Sequence, residues 1–216
     1  MGKIAFVFPG QGAQVVGMGQ NVYENSAVAK DVFEQASKAV DLDLKALCFE
    51  ENNDINITEF TQVCLLTTSV AIMEELKTRG VKADVAAGLS LGEYCALVAA
   101  GSMNFVDAAK AVRKRGIFMQ EEVPAGKGTM AAILGMDAAE IDKNIEEFDK
   151  VQVANYNCPG QIVISGSIEG INKACELMKA AGAKRALPLK VGGAFHSPLM
   201  NPAKVELEAA INATEF

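Results

Sequence analysis

Residues 88–92 read Gly-Leu-Ser-Leu-Gly, and this G-x-S-x-G pattern sits between a short apolar run and an Ala- and Leu-rich stretch. Residues 81–87 suit a buried parallel strand, and residues 93–100, free of Pro and Gly, suit a helix. A strand that turns at once into a helix forces a tight backbone at Ser90. Gly88 and Gly92 then let the neighbouring chain pass without a Cβ clash. The turn lifts the hydroxyl above the sheet and aims a helix N-terminus, with its unpaired N–H groups, at any oxyanion formed there. Ser90 is therefore read as a catalytic nucleophile. A Gly-flanked strand end with a solvated serine would give the same five letters.

A serine nucleophile needs a base, and His196 is the only imidazole in the 216 residues. It lies 106 residues after Ser90 in Gly192-Gly193-Ala194-Phe195-His196-Ser197-Pro198, a loop that follows a strand and is expected to return the chain to its main domain. With one histidine and no Cys/His cluster, no metal site is expected. The five cysteines, Cys48, Cys64, Cys95, Cys158 and Cys175, are scattered without a C-x-x-C pair, as suits reduced and mostly buried thiols. Twenty Lys and Arg against 27 Asp and Glu give a net charge of −7, which excludes general nucleic-acid affinity. No apolar run reaches a membrane span, and Met1-Gly2-Lys3-Ile4 enters a strand pattern directly, so a cytoplasmic protein is expected.

The chain opens with a strand over residues 3–8 and breaks at Pro9-Gly10-Gln11-Gly12-Ala13-Gln14. These glycines do not make G-x-G-x-x-G, so the loop suits backbone N–H groups beside the elbow better than a nucleotide phosphate. Residues 21–48 read as one helical stretch, residues 50–56 as a loop, and residues 58–79 as a helix capped by Thr58 or Thr61 and stopped at Gly80. Gln62 leads the apolar body of that helix and is either a first-turn residue or one that faces a site. Residues 105–122 are helical and carry Arg113, Lys114 and Arg115. Three consecutive residues span roughly 200° of helix, so they cannot all point one way. The ordinary reading is a solvated face. One arginine turned inward would instead offer a planar fork to a carboxylate.

From 126 to 190 the rhythm changes: strand 129–135, helix 137–148, strands 151–157 and 161–166 joined at Cys158-Pro159-Gly160, helix 168–181 and strand 185–191. The order βαββαβ is that of a ferredoxin-like unit, so a small inserted domain is expected beside the main α/β domain of residues 1–125 and 191–216.

Taken together, Phe8-Pro9-Gly10-Gln11-Gly12, Gln62, Gly88-Leu89-Ser90-Leu91-Gly92-Glu93-Tyr94, Arg115-Gly116, Asn155-Tyr156-Asn157-Cys158-Pro159-Gly160-Gln161, Ile164-Ser165-Gly166 and Ala194-Phe195-His196-Ser197 resemble the malonyl-CoA:acyl-carrier-protein transacylases and the related acyltransferase domains of polyketide synthases. The resemblance runs the full length of the chain. It implies a hydrolase-like, parallel-sheet main domain with a ferredoxin-like insert, and ping-pong transfer of a malonyl group through a serine ester in fatty acid biosynthesis. Position by position it makes Ser90 the nucleophile and His196 the base. The backbone N–H groups of Gln11 and Leu91 become the oxyanion hole, Arg115 the grip on the malonyl carboxylate, and Gln62 and Asn157 substrate-binding residues. No bound cofactor is implied; coenzyme A and the phosphopantetheine of acyl carrier protein are substrates, and a monomer is expected.

The Ala-Phe-His sequence resembles the malonyl-selective form of the motif. Leu89 replaces the histidine usual before the serine, which implies changed packing beside the elbow. Family chains continue past the point matching Phe216, so a truncated or partial chain, or a separately supplied segment, is expected. Two other readings follow from the residues. A lipase- or esterase-type hydrolase would need a base-orienting acid such as Asp137, Glu140 or Asp142, all on the insert's helix, and an apolar acyl pocket. A non-catalytic remnant would bind an acidic carrier protein without acylation, and Lys184, Arg185 and Lys190 could form its docking patch.

Overall fold

In a computed structural model, residues 2–122, 126–148, 150–189 and 191–213 are described. The chain forms two compact units, Met1–Ile117 with Leu207–Phe216, and Phe118–Glu206. The first begins with β1 (Ala5–Phe8), whose alternation sends Phe8 into the core and leaves Val7 outside. After the glycine loop come α1 (Gln20–Asn25), α2 (Ala27–Val40), α3 (Leu44–Phe49) and the long α4 (Thr58–Thr78). Next are β2 (Val85–Gly88), α5 (Leu91–Ala99) and α6 (Phe105–Glu122). β1 and β2 pair in parallel, from Ala5 opposite Val85 to Phe8 opposite Gly88. α4 runs through the core, with every residue from Thr61 to Thr68 buried, and packs against α2 and α5.

Where one helix was expected over residues 21–48 there are three. Ser26 adopts an extended backbone and its Oγ accepts from Ala29 N–H at 3.1 Å, which ends α1 and starts α2. Asp41, in the left-handed region at φ 53°, closes α2, and Asp43 Oδ1 accepts from Lys45 and Ala46 to open α3. Short polar side chains that compete for backbone N–H groups override an apolar periodicity that runs through all three. The expected threonine cap of α4 is also replaced. Its N-cap is Ile57, without a side-chain cap, while Thr61 Oγ1 donates back to the carbonyls of Ile55 at 2.6 Å and Ile57 at 3.0 Å.

The second unit contains β3 (Gly128–Leu134), α7 (Ala138–Ile145), β4 (Val151–Cys158), β5 (Gln161–Ser167), α8 (Ile168–Ala180), β6 (Arg185–Pro188) and α9 (Asn201–Asn212), whose last residues fall in the first unit. The four strands form an antiparallel sheet in the order β4-β5-β3-β6. Alternation along β3 and β5 separates two apolar clusters. Ala131, Ile133, Ile162 and Ile164 pack with Ile141, Ile145, Ile171 and Met178 of α7 and α8. Met130, Ala132 and Val163 turn the other way and pack with Ala194, Phe195 and Met200. That second cluster is why the unit runs to Glu206, beyond the end expected at residue 190. The loop carrying His196 stays with this unit, contrary to the expectation that it rejoins the main domain. α9 opens with Pro202 in its first turn, where no intrahelical donor bond is needed. Among the described residues, no helix is long and apolar enough to cross a membrane, and no group of three or more His, Cys, Asp or Glu could hold a metal ion.

Candidate active site

The elbow forms because two glycines remove two collisions. A Cβ on Gly88 would sit 1.9 Å from the Gly92 carbonyl group, and one on Gly92 would sit 2.3 Å from Phe8 O. β2, the first turn of α5 and the end of β1 thus touch backbone to backbone. Ser90, between them, is held at φ 55° and ψ −100°, a conformation that a residue with a side chain adopts only when its surroundings force it. Its hydroxyl projects from the N-cap of α5, and Leu91 opens that helix, where a backbone N–H has no intrahelical acceptor. The glycine loop after β1 crosses close by. Leu89 N–H donates to Phe8 O at 3.2 Å, and a Cβ on Gly10 would lie 2.8 Å from Leu89 O.

Of the basic run on α6, one member points outward, one is clamped and one is buried. Lys114 is exposed, Arg113 pairs with Glu59, and Arg115 is 8% exposed. Arg115 Nη2 donates to Ser90 Oγ at 2.9 Å and Nη1 donates to Gln62 Oε1 in a short bond. Gln62 is itself 1% exposed, and its Nε2 donates to Gln11 Oε1 at 2.9 Å. Gln11 Nε2 in turn donates to Thr58 Oγ1 at 3.3 Å. A polar relay therefore runs from the serine through Arg115, Gln62 and Gln11 to the start of α4. The sequence suggested a backbone role for Gln11; its side chain is the link between the glycine loop and Gln62.

Arg115 is an unusual cation. Burial holds its pKa below the ordinary arginine value, and the nearby Tyr94 and Glu93 act in the opposite sense. The guanidinium carbon lies 5.8 Å from the centroid of the Tyr94 ring. Its hydrogen-bond partners are neutral oxygens, and among the described residues no carboxylate lies within ion-pair distance of it. A buried guanidinium remains charged, and without an anion its burial is costly. The bond from Arg115 to Ser90 Oγ places that guanidinium within one hydrogen bond of the elbow hydroxyl.

The other two residues singled out from the sequence lie in the second unit. His196 is exposed, at φ 56°, between the buried Phe195 and Ser197. Its carbonyl accepts from Gln152 Nε2 at 2.6 Å, and Ser197 Oγ donates to Ala194 O at 2.7 Å, so the loop is fixed on both sides of the imidazole. Asn157 is exposed at the irregular end of β4, where the pairing shifts between Tyr156 and Cys158. Lys184 and Arg185 are exposed at the start of β6, and Lys190 lies outside the described residues.

A strained serine between a parallel strand and a helix, with a buried guanidinium on its hydroxyl, is an arrangement suited to acyl transfer. The family model described as Acyl transferase domain matches residues 5–215, and the chain belongs to that family. It is 52% identical to the malonyl CoA-acyl carrier protein transacylase of Bacillus subtilis (strain 168), a match covering all of this chain and 70% of that protein. Among solved structures, the malonyl CoA-acyl carrier protein transacylase of Clostridium perfringens superposes with a TM-score of 0.95 at 44% identity, over all of this chain and 69% of that one. A type II polyketide-synthase acyl-carrier protein in complex with its malonyl-transacylase matches with a TM-score of 0.95 at 41% identity, over all of this chain and 71% of that one.

Proposed function

We propose that the protein is an acyltransferase that moves a malonyl group from malonyl-CoA, through an ester on Ser90, to the phosphopantetheine thiol of acyl carrier protein in fatty acid synthesis. The observation that carries the acyl specificity is Arg115, a buried guanidinium with no carboxylate partner among the described residues, bonded to Ser90 Oγ. The malonyl carboxylate is the missing anion: it takes the fork bidentately and frees the serine oxygen. A neutral acyl group leaves the fork unpaired, which is the costly case. An esterase with an apolar acyl pocket has no use for such a group.

In the reaction Ser90 Oγ attacks the thioester carbon and His196 accepts the hydroxyl proton. The backbone N–H groups of Gln11 and Leu91 hold the oxyanion, and collapse expels coenzyme A, whose sulfur takes the proton from His196. The carrier thiol then attacks the acyl-serine, His196 takes the thiol proton, and the Ser90 hydroxyl is restored as the new thioester forms. Gln62 holds the fork of Arg115, and Asn157 contributes to substrate binding.

The βαββαβ order with sheet order β4-β5-β3-β6 supports a ferredoxin-like insert, and the parallel β1 and β2 with the elbow support a hydrolase-like main domain. Coenzyme A and phosphopantetheine enter as substrates with no resident cofactor, and the protein works as a cytoplasmic monomer away from membranes and nucleic acid. Intact-protein mass after mixing with malonyl-CoA tests the reading. A malonyl adduct is expected that is absent in Ser90→Ala and is accompanied by little acetyl labelling from acetyl-CoA. A folded protein that gains no adduct would refute it.

A further inference from the structure

We propose that Arg113 is a positioning residue for the Arg115 fork: it pins the first turn of α4, and with it Gln62, in register with α6. The argument rests on the reading of Arg115 as the group that receives the substrate carboxylate. Arg113 and Arg115 are two residues apart, roughly 200° around the helix, so Arg113 faces away from the fork and acts through α4 instead.

Three contacts hold that turn. Arg113 Nη1 donates to the backbone carbonyl of Glu59 at 2.9 Å, and the same nitrogen lies 2.8 Å from Glu59 Oε2. The guanidinium carbon sits 4.9 Å from the centroid of the Phe60 ring. One position beyond Arg115, Gly116 lets the helix backbones meet, since a Cβ there would lie 2.7 Å from Glu59 Cα and 3.0 Å from Thr58 O.

The turn needs holding because Ile57, its N-cap, provides no side-chain oxygen for the first N–H groups of α4. It also matters to the site. Thr58 takes the far end of the polar relay from Gln11, and Gln62 lies three residues after Glu59 on the same helix. Any shift of this turn against α6 moves Gln62 Oε1 relative to Arg115 Nη1, and so turns the fork. Taken as an ion pair alone, Arg113 with Glu59 would be worth little to stability. As a clamp, its effect falls on acyl selectivity.

The test is the rate of acyl-enzyme formation from malonyl-CoA and from acetyl-CoA, followed by intact mass, for the unsubstituted protein, Arg113→Met, Arg113→Lys and Arg115→Met. Loss of the clamp in Arg113→Met is expected to lower the malonyl-to-acetyl ratio about tenfold, the order expected when a positioning contact slips by a fraction of an ångström. Arg113→Lys, whose single ammonium can serve both acceptors on Glu59, is expected to restore most of the ratio. Equal changes in both rates, or none, for Arg113→Met while Arg115→Met abolishes the ratio would overturn the proposal and leave the carboxylate reading intact. An unchanged ratio in Arg115→Met, or no acyl-enzyme in the unsubstituted protein, would remove that reading and this one with it. If Arg113→Met does not fold, Glu59→Gln keeps the shape and weakens the clamp. Its ratio is expected to fall about threefold, and no fall overturns the proposal.

Discussion

Gly88→Ala probes whether backbone contact at the elbow is what places Ser90. The backbone of Gly88 is in an ordinary strand conformation, so alanine brings no dihedral strain. The effect is purely steric. The added methyl would meet Gly92 C and O at 1.9 Å, against about 3.4 Å for ordinary contact, so the first turn of α5 must retreat by about 3.4 − 1.9 = 1.5 Å. Ser90 lies between the two glycines and moves with the turn. Its 2.9 Å bond from Arg115 would then open beyond hydrogen-bond range. A displacement on the order of 1 Å at a reacting centre costs about 10²-fold in rate, and overpacking of this kind costs about 1–3 kcal/mol of stability.

Gly80→Ala is the matched control. Gly80 ends α4 at φ 79° with nothing within 4 Å of an added Cβ, so it incurs the left-handed penalty, about 1–2 kcal/mol, without touching the elbow. Urea unfolding and the rate of malonyl-enzyme formation should therefore separate. Both variants lose stability, and only Gly88→Ala loses acylation by about 10²-fold. A Gly88→Ala protein that is acylated at the original rate would refute the reasoning, because the close approach of β2 and α5 would then not set the serine's position.

Ser26→Ala removes the cap that separates α1 from α2 and should destabilise the protein by about 1 kcal/mol in urea unfolding, with acylation unchanged. Of the five cysteines only Cys158 is exposed, so a disulfide reagent should react at once with one thiol in the native protein and with all five after unfolding. Burial also pushes the Cys95 thiol from its ordinary value of about 9 up to about 11, so over that window the unfolded chain gives up a proton that the folded one keeps. Stability must then fall as pH rises from 9 to 11, by about 2–3 kcal/mol from this group. Urea midpoints for Cys95→Ala across that range should decline less steeply than those of the parent, and parallel curves would contradict the assignment.

What could be read from the sequence follows the distance over which each feature is determined. The elbow is local in its pattern: Gly88, Ser90 and Gly92 lie within five residues, and the clash that requires Gly88 is with Gly92 itself, whereas Gly92 is required by the distant Phe8. The helix breaks at Ser26 and Asp41 are equally local, yet an apolar period that continues across both hides them. Caps compete with periodicity one hydrogen bond at a time. The site's second half is different in kind. Helix geometry alone predicts that Arg113, Lys114 and Arg115 diverge, but not which of them faces in. That choice depends on Gln62, 53 positions away, and on Gln11, 51 positions from Gln62, and no single-window pattern connects them. The same holds for residues 191–200. A Gly-rich loop after a strand reads as a connection back to the main domain, whereas Ala194, Phe195 and Met200 are held by Met130, Ala132 and Val163 on the second face of an antiparallel sheet. A face of that sheet left bare by α7 and α8 has to be covered by something. The first apolar segment after β6 is the nearest chain able to cover it, and this places His196 in the second unit rather than in the one that carries the serine.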